Sequence, residues 1–139
     1  MNAQVKVDDV SALAPEVADK SFIAPPVAAL SALCDADLVS VIDRTAAGPL
    51  EIERPLLDEA LSRHPNDASI NEKDGIWYYA TGRFDKAIAA LDRAIRDGAG
   101  PNAYLVRGEA KRQLNGAGSE ADIEAACLQG ARSDWCKGR

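Results

Sequence analysis

The chain has 139 residues, 47% of them hydrophobic but only 5% aromatic, with a net charge of −6 and a pI near 4.7. That length suits one small domain with a single core, and the acidity argues against nucleic acid or anionic lipid as the main partner. The apolar content is rich in alanine, which fits closely packed helices better than a sheet sandwich, and no apolar run approaches the roughly 18 residues of a membrane span.

Residues 1–33 hold Pro15, Pro25 and Pro26 and show no sustained helical period, so they read as an N-terminal tail, extended or partly disordered. A short helical turn is expected near Val10–Ala14, and Phe22, Ile23, Val27 and Leu30 either pack on the following helices or lie loose. Nothing at the start resembles a basic stretch followed by an apolar export signal. The plain opening Met1-Asn2-Ala3-Gln4 is compatible with an exported, periplasmic mature form whose signal has been removed, a cytoplasmic chain being the alternative.

From Asp35 the pattern turns helical. Leu38, Val39 and Ile42 mark a helix over 37–46, ended by Gly48-Pro49. Ile52, Leu56, Leu57, Ala60 and Leu61 form the stripe of a second helix over 51–63, with Pro55 expected in its first turn and His64-Pro65 as its stop. Asn66 or Asp67 caps a third, running to about Thr81, and Gly82 turns the chain. Ala87, Ile88, Leu91, Ala94 and Ile95 line a fourth over 84–97, followed by Gly98 as its C-cap. A fifth begins near Asn102 and carries Tyr104, Leu105, Gly108 and Leu114. Ser119 stands three residues before Asp122, which reads as a capping box for a sixth helix over 120–129, with Gly130 as its cap. Ser133–Lys137 starts one more turn.

These pairs repeat. Gly48, Leu57, Ala60 and Leu61 return about 34 residues later as Gly82, Leu91, Ala94 and Ile95. Gly75, Leu91, Ala94, Ile95 and Gly98 return again about 32–33 residues on as Gly108, Ile123, Ala126, Cys127 and Gly130. Such a period predicts an all-α fold, a short α-solenoid of about three helix-turn-helix repeats in which each unit buries its apolar face on its neighbours. The units fall at about 34–65, 66–100 and 101–132 within a domain of residues 34–139, closed by a short C-terminal cap.

The pattern resembles the tetratricopeptide repeat. Gly75 and Tyr78 match the Gly-x-x-Tyr of its first helix, Ala87 and Leu91 the Ala-x-x-x-Phe of its second, and Gly108 repeats the glycine. The first unit has Val41 in place of that glycine, and the third has Lys111 in place of the tyrosine. The resemblance implies a non-catalytic scaffold or adaptor that grips a peptide or helix of a partner protein in a groove lined by the first helices. The groove residues it implies are Glu72, Ile76, Tyr79 and Arg83, then Leu105, Glu109, Arg112 and Gln113. Glu72 and Glu109 do not suit the subtype that clamps a terminal carboxylate with basic residues. A structural or self-associating component, whose repeats or tail assemble oligomers, is the alternative.

Chemistry has little to stand on. The one histidine, His64, has no triad or metal-ligand set around it, and no P-loop, dinucleotide glycine set or HExxH occurs. Neither catalysis nor a cofactor is expected. Cys127 takes the apolar position of Leu61 and Ile95, and Cys136 lies where the next helix crosses it. Antiparallel segments joined around Gly130 bring the two sulfurs within bridging range, which leaves open a disulfide or two reduced core thiols. The Ala-Cys-Leu-x-Gly…Cys run is similar to exported Sel1-like repeats, and that likeness implies the disulfide. Cys34 is then unpaired.

Overall fold

The computed structural model describes residues 27–45 and 48–138, and every regular element among them is helical. The chain divides into two compact units, Met1–Arg63 and His64–Arg139. No described helix is long and apolar enough to cross a membrane.

In the first unit, helices α1 (Asp35–Thr45) and α2 (Leu50–Arg63) pack together through Leu38, Val41 and Ile42 on one side and Leu56, Leu57 and Ala60 on the other. Residues Val27–Ala32, read from sequence as part of a tail, form a 3₁₀ helix seated on α2. Leu30 and Leu33 are buried there. Arg63, in the last turn of α2, donates to the carbonyls of Leu30 (2.7 Å) and Leu33 (2.6 Å) and pairs with Asp35 and Glu59. One guanidinium thus takes the Leu33 carbonyl and shares the Leu30 carbonyl with the Leu33 N–H. The rest of the expected tail, including the turn near Val10–Ala14 and the side chains of Phe22, Ile23 and Val27, lies outside the described residues.

Pro55 is not in the first turn of α2. The helix starts at Leu50, so Pro55 lies inside it and offers no N–H to the Glu51 carbonyl one turn back. The helix continues because its buried face, Leu56, Leu57 and Ala60, outweighs one lost backbone bond.

The second unit holds α3 (Ala68–Ala80), α4 (Phe84–Arg96), α5 (Pro101–Leu114), α6 (Ser119–Leu128) and a terminal 3₁₀ turn, Asp134–Cys136. Each helix packs on the next, and α3 also touches α5. The hairpins α3/α4 and α5/α6 are built alike. A Cβ added at Gly75 would lie 2.5 Å from Leu91 Cγ and 3.3 Å from the Ala87 carbonyl oxygen. One added at Gly108 would lie 3.0 Å from Ile123 Cγ1 and 3.0 Å from the Ser119 carbonyl oxygen. In both hairpins the first helix touches the backbone of the second where only glycine fits. Ala87, Ala90, Ala94, Ala103, Ala110 and Ala126 are fully buried, as helices crossing this closely require.

The helix ends repeat too. α4 closes with Gly98 at φ +102 and a bond from the Ala99 N–H to the Ala94 carbonyl. α6 closes with Gly130 at φ +92 and a bond from the Ala131 N–H to the Ala126 carbonyl. This is the left-handed stop that satisfies the last carbonyls. Asp67 caps α3, accepting from the Ile70 N–H at 3.0 Å.

The capping box expected at Ser119 does not form. Gly118 takes the N-cap position, and Ser119 sits in the first turn with its hydroxyl donating to the Gly116 carbonyl. Asp122 is drawn instead to Arg107, in a two-point bond of 2.6 and 2.9 Å, and to Lys111 at 2.9 Å. Arg107 also reaches Asp92 at 2.8 Å, so it ties α4, α5 and α6 together. Burial pushes the Asp122 carboxyl up, but hydrogen bonds and charge from Arg107 and Lys111 outweigh it and hold it below its ordinary value.

Candidate functional site

Helical spacing sets Glu72, Ile76 and Tyr79 on one face of α3, and Leu105, Glu109 and Arg112 on one face of α5. The two faces meet across the α3–α5 contact. Asn102 donates its amide to Glu72 at 3.1 Å, and the Tyr79 hydroxyl donates to Glu109 Oε2 at 3.5 Å. Ile76 and Leu105 are half-buried between these polar links, and Gln113 is exposed.

Tyr79 is held on both sides. Its ring stands edge-on to Phe84, with centroids 5.5 Å apart. Burial, reinforced by the Glu109 carboxylate and opposed by Arg112, raises the phenol pKa, so its hydroxyl stays a donor. The Oε1 atom of Glu109 is buried without a hydrogen-bond donor, and Arg112 Nη1 lies 3.8 Å from it.

Arg112 makes its closer contact elsewhere. Its guanidinium lies over the Trp135 ring at 4.1 Å. Trp135 belongs to the terminal 3₁₀ turn, which the Cys127–Cys136 disulfide ties to α6 with Cα atoms 5.3 Å apart. The bridge left open by the sequence is therefore formed, and it adds to the site an aromatic side chain that the repeat pattern does not contain. Adjacency to Cys136 was the one signal available for Trp135.

Of the eight groove residues read from sequence, the structure gathers Tyr79, Glu109 and Arg112, and sets Glu72 beside Asn102. Arg83 stands apart from them, exposed, with its guanidinium 5.8 Å from the Trp77 ring. Cys34 is an exposed free thiol. Among the described residues no group of three or more His, Cys, Asp or Glu is placed to hold a metal ion. The surface offers apolar contact, one donor hydroxyl, two carboxylates and a guanidinium stacked on an indole. The chain matches no protein-family model, and neither curated proteins nor solved structures give a match.

Proposed function

We propose that this chain is a non-catalytic protein-interaction module, a short α-solenoid of the tetratricopeptide type. Its α3/α5 face grips a peptide or helix of a partner protein. The observation that carries this reading is the run of contacts from Tyr79 to Glu109, Glu109 to Arg112 and Arg112 to Trp135, with half-buried Ile76 and Leu105 on the same helix faces as Tyr79 and Glu109. Aromatic and arginine anchors beside apolar side chains are the usual energetic centres of protein interfaces. The like-built hairpins support the repeat assignment, since Gly75 and Gly108 meet Leu91 and Ile123 in the same way.

The test uses peptides selected from a random display library against the disulfide-bonded chain. Tyr79→Ala and Arg112→Glu are each expected to weaken the selected peptides about ten-fold or more. Amide shifts on binding are expected to centre on α3 and α5. Unchanged affinity in both variants overturns the reading. A mass that rises with concentration and falls on Tyr79→Ala favours the self-associating alternative.

A further inference from the structure

The N–H groups of Trp135, Cys136 and Lys137 donate to Ser133 and Asp134, inside the terminal turn, and Lys137 pairs with Asp134. No residue of Asp134–Cys136 is buried, and a single 3₁₀ turn does not hold its own shape in water. The Cys127–Cys136 bridge is the covalent hold that keeps Trp135 over Arg112.

That hold decides between two partners for Arg112. One is the Trp135 ring, whose centroid lies 4.1 Å from the guanidinium carbon. The other is Glu109 Oε1, a buried acceptor with no donor, which Arg112 Nη1 leaves at 3.8 Å, beyond hydrogen-bond reach. Glu109 stands three residues before Arg112 on α5, a spacing at which the two side chains meet without any change in the helix. A hydrogen bond to a carboxylate outweighs a cation over an exposed ring. The stack holds because the bridge has already ordered Trp135. With the bridge open, stacking has to order the whole turn, and the pair with Glu109 prevails.

Resting on the α3/α5 reading above, we propose that the Cys127–Cys136 bridge is a redox switch for that face. Closed, it presents Arg112 and Trp135 together to the partner peptide. Opened, it releases Trp135 and lets Arg112 turn to Glu109, so both anchors are lost. The reductant is a dithiol. One of its thiolates attacks a bridge sulfur, and the other then displaces that sulfur from the mixed disulfide. Two thiols are left on this chain and a disulfide on the reductant. Neither Cys127 nor Cys136 is buried.

The test compares the bridged chain with the same chain treated with dithiothreitol, and with Trp135→Ala, which removes the stack and keeps the bridge. Alkylation is expected to mark Cys34 alone before reduction and all three cysteines after it. Arg112 opposes the effect of Glu109 on the Tyr79 phenol, so its approach lowers the Tyr79 titration, followed by NMR of ring-labelled tyrosine. Reduction and Trp135→Ala are each expected to lower it, and reduction is expected to leave it unchanged in an Arg112→Gln chain. Peptides selected on the bridged chain are expected to bind about five-fold or more weaker to the reduced chain and to Trp135→Ala. A bridge that stays closed in the folded chain overturns the switch. So does a Tyr79 titration, or a peptide affinity, that is indifferent to both changes. A Tyr79 shift with no peptide selected overturns the α3/α5 reading instead, while the exchange of Arg112 stands.

Discussion

Placing a methyl group at Gly75 tests how tightly the α3/α4 hairpin is closed. The new Cβ would lie 2.5 Å from Leu91 Cγ and 2.8 Å from its Cδ2. Leu91 is fully buried and Cγ is its branch point, so the side chain cannot swing aside. Such overpacking costs about 1–3 kcal/mol, while replacing glycine by alanine within a helix returns about 1 kcal/mol. Gly75→Ala is therefore expected to destabilise by about 1 kcal/mol. Leu91→Ala alone costs about 2–5 kcal/mol, but it removes both offending atoms. In that background only the Ala87 carbonyl contact at 3.3 Å remains, and Gly75→Ala turns stabilising, by up to about 1 kcal/mol. The coupling of about 2 kcal/mol far exceeds the 0.3–0.5 kcal/mol scatter of independent sites. Urea unfolding followed by circular dichroism and by the fluorescence of Trp77 measures all four corners. Stabilisation by Gly75→Ala in the parent chain, or additivity within about 0.5 kcal/mol, refutes the reasoning.

Asp122→Asn is expected to cost about 3 kcal/mol, because it leaves Lys111 and part of Arg107 without their buried carboxylate. The same group gives an acid limb. Its folded pKa is depressed, so its contribution is complete above about pH 5 and is lost as the pH falls below the ordinary carboxyl value of 3.8 and through the lower folded value. Urea midpoints between pH 3 and 7 check both the loss and its flattening in the Asn variant. Removing the bridge with Cys127→Ser and Cys136→Ser is expected to cost about 2–3 kcal/mol for so short a loop. It also frees Trp135 from Arg112, read as greater acrylamide quenching of Trp135 in a Trp77→Phe background.

The parts of the fold legible in the sequence are those with one steric solution. Gly75 and Gly108 stand where a Cβ would strike the facing helix, and Gly98 and Gly130 where the backbone turns left-handed. The parts that escaped are decided by distant partners. Nothing local to residues 27–33 reveals that Arg63 will take the carbonyls of Leu30 and Leu33. Ser119 and Asp122 have the local spacing of a cap, yet Gly118 starts the helix and a carboxylate with two cations in reach is worth more to α5 than to its own backbone. At the candidate site, Tyr79, Glu109 and Arg112 were among the residues that the repeat resemblance implied. Trp135 lay outside any repeat and was placed by a covalent link whose formation spacing alone left open.

The repeat hides one reversal that bears on how so regular a chain avoids mispairing its helices. Asp74 and Arg107 occupy the same register, one residue before the close-contact glycine, in α3 and α5. Within its hairpin Asp74, only 2% exposed, faces Arg93 at 3.6 Å, while Arg107 faces the buried Asp122. Leu91 and Ile123 are alike in size and each meets a glycine, although α3 buries Ile70 and Trp77 where α5 buries Ala103 and Ala110. The charges differ in sign as well. Were α3 to pair with α6, Asp74 would meet Asp122, and were α5 to take up the α3 position on α4, Arg107 would meet Arg93. Two like charges brought together at a helix contact cost several kcal/mol, and that cost adds to the mismatch in side-chain size. Buried ion pairs add little net stability beside well-packed apolar side chains, so their place here is better explained by the pairings they forbid. Like-built neighbours are the condition under which helical repeats misassemble, and a sign change at one register adds to the size differences Ile70/Ala103 and Trp77/Ala110 in telling the two hairpins apart.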